Sequence, residues 1–357
     1  MIRSAGSAMI RNVRETSDLR NRRKDVFALG LTILIVAVLS SSALHAFDVI
    51  PFNSQNQSPL VRIFGLPSAG STTVLPEGRK ETQITLDHSN SYLDDEYIGE
   101  RLVIDGETTR LTLAGRYGLA RGAEVGIEIP YVYHGGGFLD DIISDYHDRF
   151  GFSPGRRDEA PNNHLLFQYR RNGVDQLKVD ASGGGLGDIV LTGGLQLYND
   201  AAPYPLSVAL RAGIKLPTGD SGSLFGSGST DLSLWLTGSD DFKLPLGSGA
   251  LYAAAGLMVM TKGNILPEQQ RNWVGFGTVG LGWKPLSWFA IKFQMDSHTP
   301  LYEDSSVKHL SANAAQLLIG GTFGLSERTS LDIAVSEDII VDTAPDVAFH
   351  FNMRTIF

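Results

Sequence analysis

From about residue 79 to the end, apolar and polar positions alternate along the chain, stretch after stretch. Phe289, Ile291, Phe293 and Met295 are interleaved with Ala290, Lys292, Gln294 and Asp296. Leu206, Val208, Leu210, Ala212, Ile214 and Leu216 are interleaved with Ser207, Ala209, Arg211, Gly213 and Lys215. The same rhythm runs through Leu111–Tyr117, Val125–Tyr131, Leu331–Val335 and Val347–Phe357. Successive side chains of a strand point to opposite faces, so each stretch predicts a strand with one greasy and one polar side. Twelve strands are predicted, near 79–92, 100–119, 123–134, 184–199, 204–216, 228–239, 249–261, 273–284, 287–299, 311–325, 328–341 and 345–357. Short connections (120–122, 199–203, 284–286, 326–327) interleave with longer ones (135–183, 217–227, 262–272, 300–310). An even strand number with alternating short and long connections predicts an all-β chain, a transmembrane antiparallel up-and-down β-barrel with both termini periplasmic.

Alternation also suits a soluble sandwich or barrel, so other features have to decide. Arg22-Arg23-Lys24, the apolar run Val26–Leu39 and the small-residue stretch Ser40–Ala46 read as a secretory signal peptide over 1–46, cut near Ala46. The run is short for a helix that spans a bilayer, and no other stretch approaches 18 apolar residues. A chain that enters a membrane without such a helix must enter as a closed barrel. Tyr117, Tyr131, Tyr133, Trp283, Trp288 and Phe323 fall near strand ends, where an interfacial girdle would lie. The expected location is the outer membrane, and the expected partner is the lipid bilayer.

Net charge is −9 overall but +4 in residues 1–46, which leaves −13 for the body. An acidic body argues against nucleic acid as a partner. With no cysteine, an exported chain has no disulfide framework and must be held by backbone pairing and packing.

The polar face collects Arg110, Arg116, Glu128, Asp188, Arg211, Lys215, Asp231, Lys292, Asp296, Asp332, His350 and Arg354. In a barrel of this size they line the lumen. They either border a pore or binding cavity whose selectivity they tune, or pair off in an internal network that plugs it. Residues 47–78, rich in Asn, Gln, Ser, Pro and Gly around an apolar Leu60–Leu66 piece, are expected either to enter the lumen or to form a periplasmic lead-in. Leu139, Ile142, Ile143, Tyr146 and Phe150 follow helical spacing and predict a short helix in the longest external loop. The nearby Asp140, Asp141, Asp145 and Asp148 do not have the spacing of a calcium loop.

Asp87-His88-Ser89-Asn90 carries the sharpest enzyme-like pattern. Adjacent strand residues face opposite ways, however, so His88 cannot take a proton from Ser89. The remaining histidines lack metal-ligand spacing. The glycine-rich stretches 183–187 and 222–230 lack the lysine or helix that a phosphate or dinucleotide site requires. No catalytic residue, metal or cofactor is expected.

Two resemblances add to this reading. A last strand with Phe349, Phe351 and Met353 that ends in Phe357 resembles the assembly signal of Gram-negative outer-membrane proteins, which implies recognition by the outer-membrane assembly machinery. Asn56–Leu60 with Ile63–Pro67, Asp105–Thr108 with Arg116–Gly118, Glu128–Tyr131, Gly136–Asp140, Gly185–Asp188, Lys215–Gly219 and Gly226–Asp231 are similar to a proteobacterial outer-membrane family known as domain of unknown function 3187. That family brings a fold and no activity. The Gly-x-Gly-Asp and Lys-x-Pro-Thr-Gly pieces also resemble, more loosely, barrels proposed to admit hydrophobic compounds, including phenolic ones. The resemblances imply a porin-like passive channel for a small apolar or amphipathic molecule. A structural or adhesive surface protein is the alternative, and an outer-membrane lipid hydrolase the second.

Overall fold

The computed structural model describes residues 47–137, 163–200, 203–340 and 343–357. The proposed leader and the proposed helix over 138–150 lie outside the described residues.

Twelve antiparallel strands form a closed ring. They are β1 (Lys80–Tyr97), β2 (Glu100–Ala120), β3 (Ala123–Gly135), β7 (Ile189–Asn199), β8 (Leu206–Leu216), β9 (Asp231–Lys243), β10 (Ser248–Met260), β11 (Trp273–Leu286), β12 (Phe289–His298), β13 (Ala314–Gly324), β14 (Thr329–Asp338) and β15 (Val347–Ile356). Neighbours in sequence pair, and β1 pairs with β15 from Glu81↔Ile356 to Asn90↔Val347, so the ring has no free edge. Closure satisfies the backbone polar groups without water. Apart from the tight turn 98–99 between β1 and β2, the short connections gather at the end where β1 begins and β15 finishes, here called the turn end. The long connections gather at the opposite, loop end.

The alternation maps onto the two faces. Leu113, Leu234 and Val279 point outward and are 52%, 54% and 52% exposed, whereas Lys292 on the inward face is 0% exposed. An exposed band of this extent has no counterpart on soluble proteins and matches a lipid-facing wall. Among the described residues no helix is long and apolar enough to cross a membrane. Exposed Tyr131, Tyr133 and Trp273 lie toward the loop end, and Tyr117 and Trp283 toward the turn end. Beside the short turn that joins β11 to β12, Trp288, Phe289 and Phe323 pack ring against ring.

Two features depart from the sequence expectation. β1 continues to Tyr97, past the expected 79–92, while β2 keeps its expected span; at 18 and 21 residues both are about twice the length a tilted strand needs to cross a bilayer. Their surplus projects beyond the loop end and is extended by a hairpin of β4 (Leu166–Arg171) and β5 (Val174–Val179). That hairpin turns on Asn172 and Gly173, both at positive φ, the geometry of a tight two-residue turn. The stretch predicted as one strand near 184–199 is broken. β6 (Gly183–Leu186) and β7 both pair with β3, and Gly187 and Asp188 lie between them opposite Pro130.

Candidate functional site: a charged lumen filled by the N-terminal segment

Residues 47–78 contact inward-facing side chains along the whole height of the wall. A rising limb starts at the turn end, where Lys284 Nζ donates to Phe47 O at 2.7 Å. It passes Lys292 and Gln294, which bond the backbone of Ile50 and Phe52. At the loop end Asn56 Nδ2 lies 3.0 Å from His298 Nε2, and Ser58 Oγ lies 2.7 Å from His309 Nε2. There the chain turns through a one-turn helix, α1 (Pro59–Arg62). A falling limb then descends past Asp231, Trp235, Arg211 and Glu124. It returns to the turn end at Gly118, where a β-carbon would come within 2.0 Å of Pro76 O, so only glycine fits.

The turn of this segment is held by apolar packing. Leu60, Val61, Ile63 and Phe64 belong to one buried cluster with Leu102, Ile104, Met258, Leu301 and Tyr302. The Phe64 and Tyr302 rings meet edge to face at 5.8 Å, and Tyr302 Oη donates to Leu60 O at 2.9 Å. Burial pushes the Tyr302 hydroxyl well above its ordinary pKa. A second one-turn helix, α2 (Lys308–Ser311), closes over the same cluster with Leu310.

Below that seal the lumen is ionic. Of the twelve residues that the sequence placed on the polar face, eleven lie on the inward side of their strands and Asp188 is buried in the break between β6 and β7; most of them join three networks. The first is a chain of Arg354, Glu81, Arg116, Glu124 and Arg211 that crosses β15, β1, β2, β3 and β8, with contacts of 3.7, 3.0, 3.1 and 2.8 Å. Arg211 also donates to Ser71 O, and Glu124 accepts from Leu75 N, so this network grips the falling limb. The second is Lys215 between Asp188 at 2.5 Å and Asp231 at 3.4 Å, with Ser227 Oγ and Ser229 O as further acceptors. Asp231 accepts from Gly65 N, which ties the falling limb to the loop end. The third is Lys292 with Asp332 at 3.0 Å, beneath the Phe52 ring 3.8 Å away. Asp296 accepts from Thr278 and Gln294 nearby.

His350 pairs with Asp87 at 2.7 Å. Arg110 and Glu128 differ from the rest, since neither has a hydrogen bond or ion pair with any described residue. Sequence reasoning missed Glu81, Asp87 and Glu124, which supply the carboxylates, and Arg62, which sits inside a piece of chain read as apolar. The Arg62 side chain also lacks a partner among the described residues, and its Nε is shut off from solvent. Burial lowers the pKa of its guanidinium, with Asp87 and Glu128 acting in the opposite direction.

A cavity of about 80 Å³ remains between the two limbs and the wall of β1–β3, β7–β9 and β15. Arg62, Arg116, Arg211 and Arg354 line it, against Glu81 and Glu128. His88 and Ser89 do not meet. His88 bonds Thr109 at 2.8 Å and lies 3.1 Å from Glu107, while Ser89 is buried on the other face of β1. Among the described residues no group of three or more His, Asp or Glu is placed to hold a metal ion.

The family model for DUF3187, a protein of unknown function, matches residues 27–357. The chain belongs to the DUF3187 family. No curated protein matches it. Among solved structures it is similar to the COG4313 outer membrane channel from Pseudomonas putida F1, at 11% identity and a TM-score of 0.52, covering 81% of this chain and 98% of that one. This likeness shows a shared outer-membrane barrel fold. The NanC porin (8% identity, TM-score 0.40, 77% and 98% covered) and the CymD monoaromatic hydrocarbon channel (11%, 0.32, 87% and 93%) are more distant and carry no argument.

Proposed function

We propose that this DUF3187 protein is a passive outer-membrane channel for a small apolar or amphipathic molecule, and that residues 47–78 are its movable plug. The supporting observation is how the plug is attached. Among the described residues its limbs bond the wall through side chains, and its only backbone-to-backbone link to a strand is at Gly78 and Gly118, beside its exit. A segment held this way can leave without breaking the sheet. The loop end would face outward and the turn end the periplasm, as the short turns require.

A reversible lock tests this. A β-carbon at Gly282 would lie 3.5 Å from Val49 Cβ, within disulfide range. The natural chain has no cysteine, so Val49→Cys/Gly282→Cys forms one defined cross-link. Oxidised protein in planar bilayers or proteoliposomes should pass no solute, and reduction should restore passage. Equal passage in both states would reject the plug. Absence of passage in either state would favour the second reading, a surface protein whose projecting β1–β2–β4–β5 sheet does the work.

A further inference from the structure

The cavity between plug and wall is lined by more positive than negative charge, Arg62, Arg116, Arg211 and Arg354 against Glu81 and Glu128. Arg116, Arg211 and Arg354 share Glu81 and Glu124, three guanidiniums on two carboxylates. Close by, Arg62 on the plug and Arg110 on β2 repel each other, and among the described residues neither has a hydrogen-bond or ion-pair partner for its side chain. Glu128 lies within electrostatic reach of both but forms no ion pair with either. Buried guanidiniums are ordinarily paired, because a buried donor without an acceptor costs free energy. Arg62, which lines the cavity, and Arg110, which lies behind the lining within electrostatic reach of Arg62, therefore lack an acceptor. A planar guanidinium with several N–H donors matches a carboxylate best. The same cavity is lined by Phe52 and Trp235, which offer apolar and aromatic surface beside the charge. Its size admits a small molecule.

We propose that this cavity is a binding site for a small organic carboxylate, whose anionic end sits on Arg62 within the field of Arg110 and whose apolar body lies against Phe52 and Trp235. As a binding site it stands on the cavity alone. As a site for transported cargo it rests on the channel reading and narrows it to amphipathic anions. Because Arg62 travels with the plug, bound anion would bridge plug and wall.

The test uses the full barrel folded in detergent, with benzoate as probe and benzyl alcohol as its neutral counterpart, read by calorimetry and by Trp235-dependent fluorescence. Benzoate should bind saturably and benzyl alcohol at least about tenfold more weakly, the factor expected for a charge-assisted hydrogen-bond pair. Arg62→Gln and Arg110→Gln should each weaken benzoate about tenfold or more. Glu128→Gln removes the competing carboxylate and should tighten it. Unshifted mobility on unheated gels confirms that each variant is folded. Opposite signs for the Arg and Glu variants cannot come from general loosening. Equal binding of benzoate and benzyl alcohol, or an unchanged benzoate affinity in both Arg variants, would overturn the proposal. So would weakening by Glu128→Gln. None of these readouts depends on transport, so the site and the channel can fail separately.

Discussion

The loop end and the waist of the lumen hold the same segment by different physics. At the loop end Leu60, Ile63 and Phe64 sink into a dry cluster with Tyr302 and Met258, where attraction is non-directional and spread over many contacts. At the waist the limbs are held by discrete bonds to charged groups, such as Arg211 to Ser71 O and Lys292 to Ile50 O. An apolar grip weakens gradually as it is trimmed. An ionic grip is all-or-none, because one missing partner leaves a buried charge behind. The seal is therefore suited to hold and the waist to discriminate.

Four variants test that contrast, and they differ in how much stability each removes. Asp332→Ala strands Lys292, which is fully buried, and should cost about 3–5 kcal/mol of barrel stability in urea titrations in detergent. Phe64→Ala leaves a hole in the seal and should cost about 3 kcal/mol. That loss should fall on the plug, seen as faster amide exchange at residues 59–64 with the wall unchanged. Gly118→Ala forces a β-carbon onto Pro76 O and should cost about 1–3 kcal/mol, loosening the falling limb at its exit. The double change Lys292→Met/Asp332→Leu removes both charges together and should stay within about 1 kcal/mol of the natural chain. A double variant as unstable as Asp332→Ala would show that the waist is held by shape rather than by charge.

Strands with strict alternation were legible almost to the residue. β12 at Phe289–His298 was expected near 287–299, and β8 at Leu206–Leu216 near 204–216. Period two fixes which face a residue takes, so the inward side of Arg110, Lys292 and Asp332 could be read directly. It does not fix height on the wall or which residues meet across strands. Glu81 reaches Arg116 and Arg354 only because the registers of β1 with β2 and with β15 place them together. The β4–β5 hairpin was missed within a long connection, although Asn172-Gly173 between Phe167, Tyr169 and Val174, Leu177 carried the signal. Arg62 was missed because its neighbours are apolar, and a charge inside such a run draws attention only when its surroundings are known.

The inner segment goes in and comes out through the same mouth. Phe47 meets Lys284 at the turn end, and Gly78 meets Gly118 there too. A doubled ribbon with both ends at one opening needs no free tip to be drawn out, and none to be put back. It can slide past a wall that never unzips, while the strand that follows it stays in place. No thread has to pass through the ring, so insertion and withdrawal pose no topological obstacle.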